Sequence, residues 1–311
     1  MLAVLLAVAL TAAAAPAPAP AAAPHASGLP GDAVELHAVD GWTLHAVWLK
    51  AKEGKKTVVL LHGTGQRKED WRAFARALAK DGEGYMAVDL RGHGESRVSP
   101  SGETITHKKL RAQNAMKGGA NDYEDMVRDA EAAVGFMAGA GTAEESIGFA
   151  GAEVGGSVAV KYAAVHPKVP FVIVLSPGLA WQEIPLVNAV RHFKGRAMPI
   201  LMVHSDADKR SSKETPLLFA FAKNAVGEAN ATLLVVPDER GTRMFLKNKD
   251  LSARVLSWIA DPHALQVPAV STDTAAGAST TTAVMPADGT ATPDAEDMPD
   301  TEPAPADGTV Q

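Results

Sequence analysis

The stretch that most restricts what this chain can fold into is Gly151-Ala152-Glu153-Val154-Gly155. It joins an apolar run, Ser146-Ile147-Gly148-Phe149-Ala150, to Gly156-Ser157-Val158-Ala159-Val160-Lys161-Tyr162-Ala163-Ala164. The first run reads as a buried strand and the second as a packed helix. Glycines on either side of one displayed residue leave room for a sharp turn between the two elements. The residue displayed at the tip is a carboxylate, Glu153.

The same alternation recurs along the chain. Apolar runs predict strands near 33–38, 42–49, 57–61, 84–90, 146–151, 170–176, 199–204 and 231–236. Helical spacing predicts helices near 68–80, 122–139, 155–166, 213–226 and 247–260. Within 122–139, Met126, Ala130, Ala133, Val134 and Met137 form the apolar stripe of a helix that covers a sheet. The first two strands read as a hairpin around Asp40-Gly41. Strand–helix alternation after them argues a largely parallel sheet with helices on both faces. In such sheets ligands sit at the carboxyl ends of the strands, where the Glu153 turn, the His62-Gly63 turn and the loops after Val203 and Val236 all lie.

Two further motifs give the pattern a family character. Thr57-Val58-Val59-Leu60-Leu61-His62-Gly63-Thr64-Gly65 is a strand that ends in a His-Gly turn. After a helix through Trp71, Phe74, Ala75, Leu78 and Ala79 comes Gly84-Tyr85-Met86-Ala87-Val88-Asp89-Leu90-Arg91-Gly92-His93-Gly94-Glu95-Ser96. The order strand, His-Gly turn, helix, strand, D-x-R-G-H-G-x-S resembles the α/β-hydrolase superfamily, in particular its esterase and dienelactone-hydrolase-like members. The resemblance continues through Leu175-Ser176-Pro177-Gly178-Leu179 and covers roughly Val34 to Ala260. It implies an α/β-hydrolase fold, with a mostly parallel eight-stranded sheet, helices on both faces and a small cap. The cap, between Leu179 and Met198, is expected to be about one helix with Trp181, Ile184, Val187 and Val190 as its apolar positions.

The resemblance also assigns roles. In this superfamily the turn after the buried strand is G-x-S-x-G, and the triad follows in the order Ser, Asp or Glu, His. Glu153 then stands at the nucleophile position. Asp208, in Ser205-Asp206-Ala207-Asp208, stands at the acid position, with Asp206 the alternative register. The loop after 231–236 reads Asp238-Glu239-Arg240-Gly241-Thr242, which puts Arg240 where the histidine belongs. The oxyanion-hole amides would come from Val154 and from Thr64 or its neighbour.

These substitutions remove the chemistry of a serine hydrolase. A serine hydroxyl needs a neighbouring base to take its proton. Arginine stays protonated in a protein and cannot be that base. Glu153 and Arg240 are instead expected to form a salt bridge that closes the site, with Asp208 a second acceptor for Arg240. Arginine's planar fork suits a bidentate carboxylate contact, and breaking a buried pair costs ~3–5 kcal/mol. Three readings follow: a catalytically degenerate hydrolase-fold protein that binds a small molecule or partner in the cleft, an esterase-like hydrolase using Glu153 as nucleophile or base, or a structural envelope module with a filled cleft. Ser157 reads as a helix-packing residue, His62 and His93 as scaffold, and His204 as a strand-end histidine.

Composition bounds the rest. Residues 1–15 are an apolar, small-residue run that reads as a signal peptide, so export to the periplasm or exterior is expected. They are too short for a stable membrane span. Residues 16–31 are an Ala/Pro-rich linker, 32–263 the hydrolase domain, and 264–311 an Ala/Thr/Pro-rich acidic tail that cannot bury enough apolar surface to order. The tail holds eight acidic and no basic residues; subtracting −8 from a net charge of −6 leaves +2 for the remainder. No basic surface for nucleic acid is implied. The chain has no cysteine, which excludes disulfides and thiolate ligands. No metal-ligand spacing is present, Gly63-Thr64-Gly65 lacks the Lys-Ser/Thr of a phosphate loop, and no cofactor is expected. The loop from Arg97 to Gly119 carries Lys108, Lys109, Arg111 and Lys117 and reads as a solvated basic segment or lid.

Overall fold

A computed structural model of the protein describes residues 28–111 and 120–263. The expected signal peptide, most of the linker, the tail and Lys117 lie outside the described residues.

Two antiparallel strands, β1 (Asp32–His37) and β2 (Thr43–Leu49), open the sheet. Their connection is a β-turn closed by Gly41 N–H to Ala38 O at 2.9 Å, with Gly41 at φ 89°. Asp40-Gly41 therefore sits in the turn as its composition predicts, within a connection longer than a two-residue one. β3 (Thr57–Leu61), β4 (Gly84–Val88), β5 (Ile147–Ala152), β6 (Val172–Leu175), then β9 (Ile200–Ser205) and β10 (Ala231–Val236) follow as parallel partners. The eight strands lie in the order β1-β2-β4-β3-β5-β6-β9-β10, and only β2 runs against the rest. β3, β5, β6 and β9 are buried along their whole length, as strands with both faces covered must be.

The helices form two layers. α1 (Arg72–Asp81), α6 (Met244–Lys247) and α7 (Leu251–Ala260) pack on one face, in an apolar cluster with Val58, Leu60, Tyr85 and Ile173. α2 (Val127–Gly139), α3 (Val154–Val165), α4 (Leu186–Arg191) and α5 (Ser211–Val226) cover the other, around Val59, Leu61, Met86 and Val174. Among the described residues no helix is long and apolar enough to cross a membrane.

Two expectations are corrected here. The cap is not a single helix: Trp181 and Ile184 lie on a small hairpin, β7 (Ala180–Trp181) and β8 (Ile184–Pro185), and α4 has six residues. Pro185 at its N-cap prevents the helix from extending backwards. The helix expected over 247–260 is broken at Asn248, whose side-chain amide donates to Asp238 O at 3.0 Å and Met244 O at 2.9 Å. Asn248 itself has an extended backbone, φ −98° and ψ 94°, through which a helix cannot continue.

Candidate functional site

The turn between β5 and α3 places Glu153 at φ 52° and ψ −117°, a conformation disfavoured for any residue with a side chain. What fixes it is the backbone around it. A β-carbon on Gly151 would come within 2.2 Å of Gly155 O, and one on Gly155 within 2.3 Å of Leu61 O. Only glycines let the strand, the turn and the end of β3 approach so closely. Glu153 N–H donates to Leu175 O at 2.9 Å, and its carbonyl accepts Ser157 N–H at 3.1 Å. The turn is thus tied to β6 and α3 by main-chain atoms alone, whatever side chain it displays.

The displayed carboxyl is 2% exposed. Oε2 lies against Gly63, where a β-carbon would approach it to 2.6 Å, and Oε1 lies near Gly241. Glutamate, longer than serine, therefore fits because Gly63 leaves room for its carboxyl. Arg240 Nε is 3.0 Å from Oε1. The approach is off the N–H axis, so this is an ion pair without a hydrogen bond, and Oε1 has no hydrogen-bond partner. Burial raises the proton affinity of Glu153, with Arg240 opposing and the Asp208 charge adding to the rise.

The expected bridge is corrected in three respects. Arg240 is 58% exposed, so the pair is buried at one end only. The contact uses one nitrogen and is not bidentate. Asp208 makes no ion pair with Arg240. Asp208 Oδ1 accepts Ser211 N–H at 3.2 Å at the start of α5, and Oδ2 is buried with no partner. The physical reason lies in the loop carrying Arg240. Ser176 Oγ accepts Gly241 N–H at 2.8 Å, and Ser205 Oγ donates to Glu239 O. Glu239 at φ 66° and Gly241 at φ 53° then turn the Arg240 side chain towards solvent. Asp206 is exposed and Asp208 is buried.

Val154 opens α3, so its amide has no intrahelical acceptor. The Gly63 amide is engaged by Gln66 Oε1 at 3.1 Å. Thr64 Oγ1 accepts Gln182 Nε2 at 3.2 Å from the tip of the cap hairpin. Gln182 and Glu183 there both have positive φ, 48° and 61°, and Asn121 Nδ2 holds Gln182 O at 2.9 Å. Gln66, Ser176, Gln182 and Ser205 are the site residues that motif reading does not reach, because each acts through a loop conformation.

The remaining candidates fall into the scaffold. His62 Nε2 accepts Leu90 N–H at 3.1 Å, which leaves Nδ1–H to donate to Gly63 O at 2.8 Å. Burial pushes its basicity down, and pushes that of His93 down to about 3. His204 is buried within β9, its Nδ1 3.4 Å from Ser205 O. Ser157 is fully buried in α3. Lys109 and Arg111 pair with Glu103 and Asp122, each at 3.3 Å. Among the described residues no group of three or more His, Asp or Glu is placed to hold a metal ion. Beside the carboxyls an open depression is lined by Ala207, Asp208, Asp238, Glu239, Arg240 and Lys247.

A family profile described as serine aminopeptidase, S33, matches residues 52–230. Compared by sequence with curated proteins, the chain has no match. Among solved structures it is similar to an esterase of Pyrococcus furiosus, with 17% identity, TM-score 0.57, and coverage of 75% of this chain and 91% of the other. It is also similar to Est1E of Butyrivibrio proteoclasticus, solved with ferulic acid bound, at 19% identity, TM-score 0.52, and 73% and 99% coverage. A dienelactone hydrolase of Anabaena variabilis aligns at 16% identity, TM-score 0.51, with 75% and 98% coverage. At these identities the likeness establishes the α/β-hydrolase fold.

Proposed function

The chain belongs to the serine aminopeptidase S33 family, and on that premise we propose that its cleft is a degenerate hydrolase site that binds a small molecule or partner without conventional serine-hydrolase turnover. The observation that carries this reading is the pair at the centre of the cleft. The tip of a retained elbow holds Glu153, and the place of the base holds Arg240, 3.0 Å away. Neither side chain can supply a hydroxyl nucleophile and a proton acceptor together. Glu153 fills the niche that a substrate carbonyl would otherwise enter, so occupancy by a ligand requires it to move. The export expected from residues 1–15 belongs to the same reading.

A carboxylate-based hydrolase is the second reading, and one observation favours it. The strained backbone of Glu153 is kept at φ 52°, and strain of this kind concentrates at functional sites. An attacking carboxylate would form an ester that water must then cleave, and Arg240 cannot activate that water.

Hydrolysis of p-nitrophenyl acetate and butyrate separates the two. The full chain is compared with Glu153→Ala and with Glu153→Ser/Arg240→His. We expect no turnover above buffer from the first two and measurable turnover from the double variant. Wild-type turnover that disappears in Glu153→Ala would establish the carboxylate enzyme and overturn our reading. Silence from the double variant would mean that the cleft has lost more than its catalytic pair.

A further inference from the structure

At the opposite edge of the sheet from Glu153 there is a separate cavity of about 200 Å³. It lies at the amino end of β5, between α2 and the last turns of α3; Val134, Ile147, Phe149, Tyr162 and Val169 line its interior, and Glu144, His166 and Lys168 also border it. Its interior is aromatic. The Phe149 and Tyr162 rings have centroids 4.8 Å apart, and Tyr162 stacks on His166 at 3.8 Å with an interplanar angle of 8°. An apolar cavity of about 150 Å³ is known to stay dry and take up benzene. This one is large enough for a single ring with a short substituent.

The walls are braced from outside. Arg196 donates to Ala163 O at 2.7 Å and to His166 O at 3.3 Å, which fixes the carboxyl end of α3. Lys168 borders the mouth, 3.3 Å from both Glu144 and Glu145. The cavity thus does not depend on a ligand to hold its shape.

The mouth is negatively charged. Glu144 and Glu145 flank Lys168, and Glu131 lies 4.0 Å from His166, so three carboxylates stand against Lys168 and the Arg196 that braces α3. Glu131 and Glu144 both bear on the Tyr162 hydroxyl, whose proton affinity burial and these two charges push up to about 12. Glu144 lines the cavity and Glu131 lies 4.0 Å from the lining His166, so both carboxylates stand near the polar end of the ring box, where the substituent of a bound ring would emerge.

We propose that this cavity binds an arylalkylamine, with the aromatic ring among Phe149, Tyr162 and Val169 and the ammonium at the mouth between Glu131 and Glu144. Ring shape and apolar lining select a single aromatic group. The charge of the mouth selects the ammonium and rejects a carboxylate on the same chain length. Nothing in this site depends on the cleft at the carboxyl edge, so the proposal stands or falls separately from the reading of Glu153.

The test is calorimetric titration of the full chain at low salt with 2-phenylethylamine, 2-phenylethanol and 3-phenylpropionate. We expect saturable binding of the amine, about tenfold tighter than the alcohol, and no binding of the carboxylate. Ile147→Phe, which fills the cavity, should abolish binding of amine and alcohol alike. Glu144→Gln lies on the surface and leaves the core untouched; it should erode the preference for amine over alcohol while leaving alcohol binding unchanged. Absence of saturable amine binding overturns the proposal. So does carboxylate binding equal to that of the amine, equal affinity for amine and alcohol, or unchanged binding in folded Ile147→Phe.

Discussion

The loop after β4 and the turn after β5 are both glycine-rich and lie at the same sheet edge, yet their charged side chains are held differently. In the loop, Asp89 accepts Lys68 N–H and Lys68 Nζ, each at 2.7 Å, and Glu95 N–H at 2.9 Å. Arg91 is held by buried Asp129 at 2.6 Å and by Asp40 at 2.6 Å. Gly94 is required there, since a β-carbon would meet the Asp89 carboxylate at 2.1 Å. At the turn and in the loops after β9 and β10 beside it, by contrast, Glu153 Oε1, Asp208 Oδ2 and Thr242 Oγ1 are buried without hydrogen-bond partners. In the loop after β4, His93 Nε2 is the one such side-chain atom among the described residues. Buried polar groups are ordinarily paired, and a cluster that is not marks a functional place or a lost one. The loop holds the fold together through its side chains. The turn holds its shape through glycines and main chain, whatever residue it displays.

That difference can be broken by mutation, and the largest effect belongs to the loop. Arg91→Ala strands the buried Asp129 carboxylate, and equilibrium urea unfolding should show a loss of about 3–5 kcal/mol. Gly155→Ala attacks the turn through its backbone. The added methyl would collide with Leu61 O and His62 O, and an overpacking cost of about 1–3 kcal/mol is expected. If Gly155→Ala were neutral while Glu153→Ala was severe, the turn would be held by its side chain, and the contrast would fail.

The contrast also explains what the residues disclose without coordinates. The strands of the sheet, the hairpin at Asp40-Gly41, the covering helices and the Glu153 turn follow from apolar runs and glycine spacing, which are local and periodic. The cap misleads because Trp181 and Ile184 are three apart, a helical spacing. Their hairpin turns through Gln182 and Glu183 at positive φ, where Asn or Gly would normally signal it. The site is legible in identity and not in geometry. Glu153 and Arg240 meet and Asp208 borders the same depression as Arg240, but the orientation of Arg240 depends on Ser176 and Ser205 gripping its loop from two other strands. No spacing along the chain encodes those long-range clamps.

Smaller effects are expected at the pair itself, and they should be unequal. Arg240→Ala removes the only counter-charge within 4.0 Å of Glu153 among the described residues, and a cost of ~1 kcal/mol near neutral pH is expected, since one end of the pair is solvated. Glu153→Gln removes a buried charge and strands nothing, because exposed Arg240 returns to water. Its effect should depend on pH. The folded-state proton affinity of Glu153 is raised above its unfolded value, chiefly by burial. The contribution of the carboxyl to stability is therefore fully present below the ordinary glutamate range and is lost as pH rises through the folded-state value. Thermal unfolding of wild type and Glu153→Gln should then nearly coincide at about pH 4, near the ordinary glutamate value, and the variant should gain on wild type as the pH is raised towards 8. An advantage for wild type that instead grows with pH would mean that the ion pair outweighs desolvation, and that the turn, like the loop, is held by its charges.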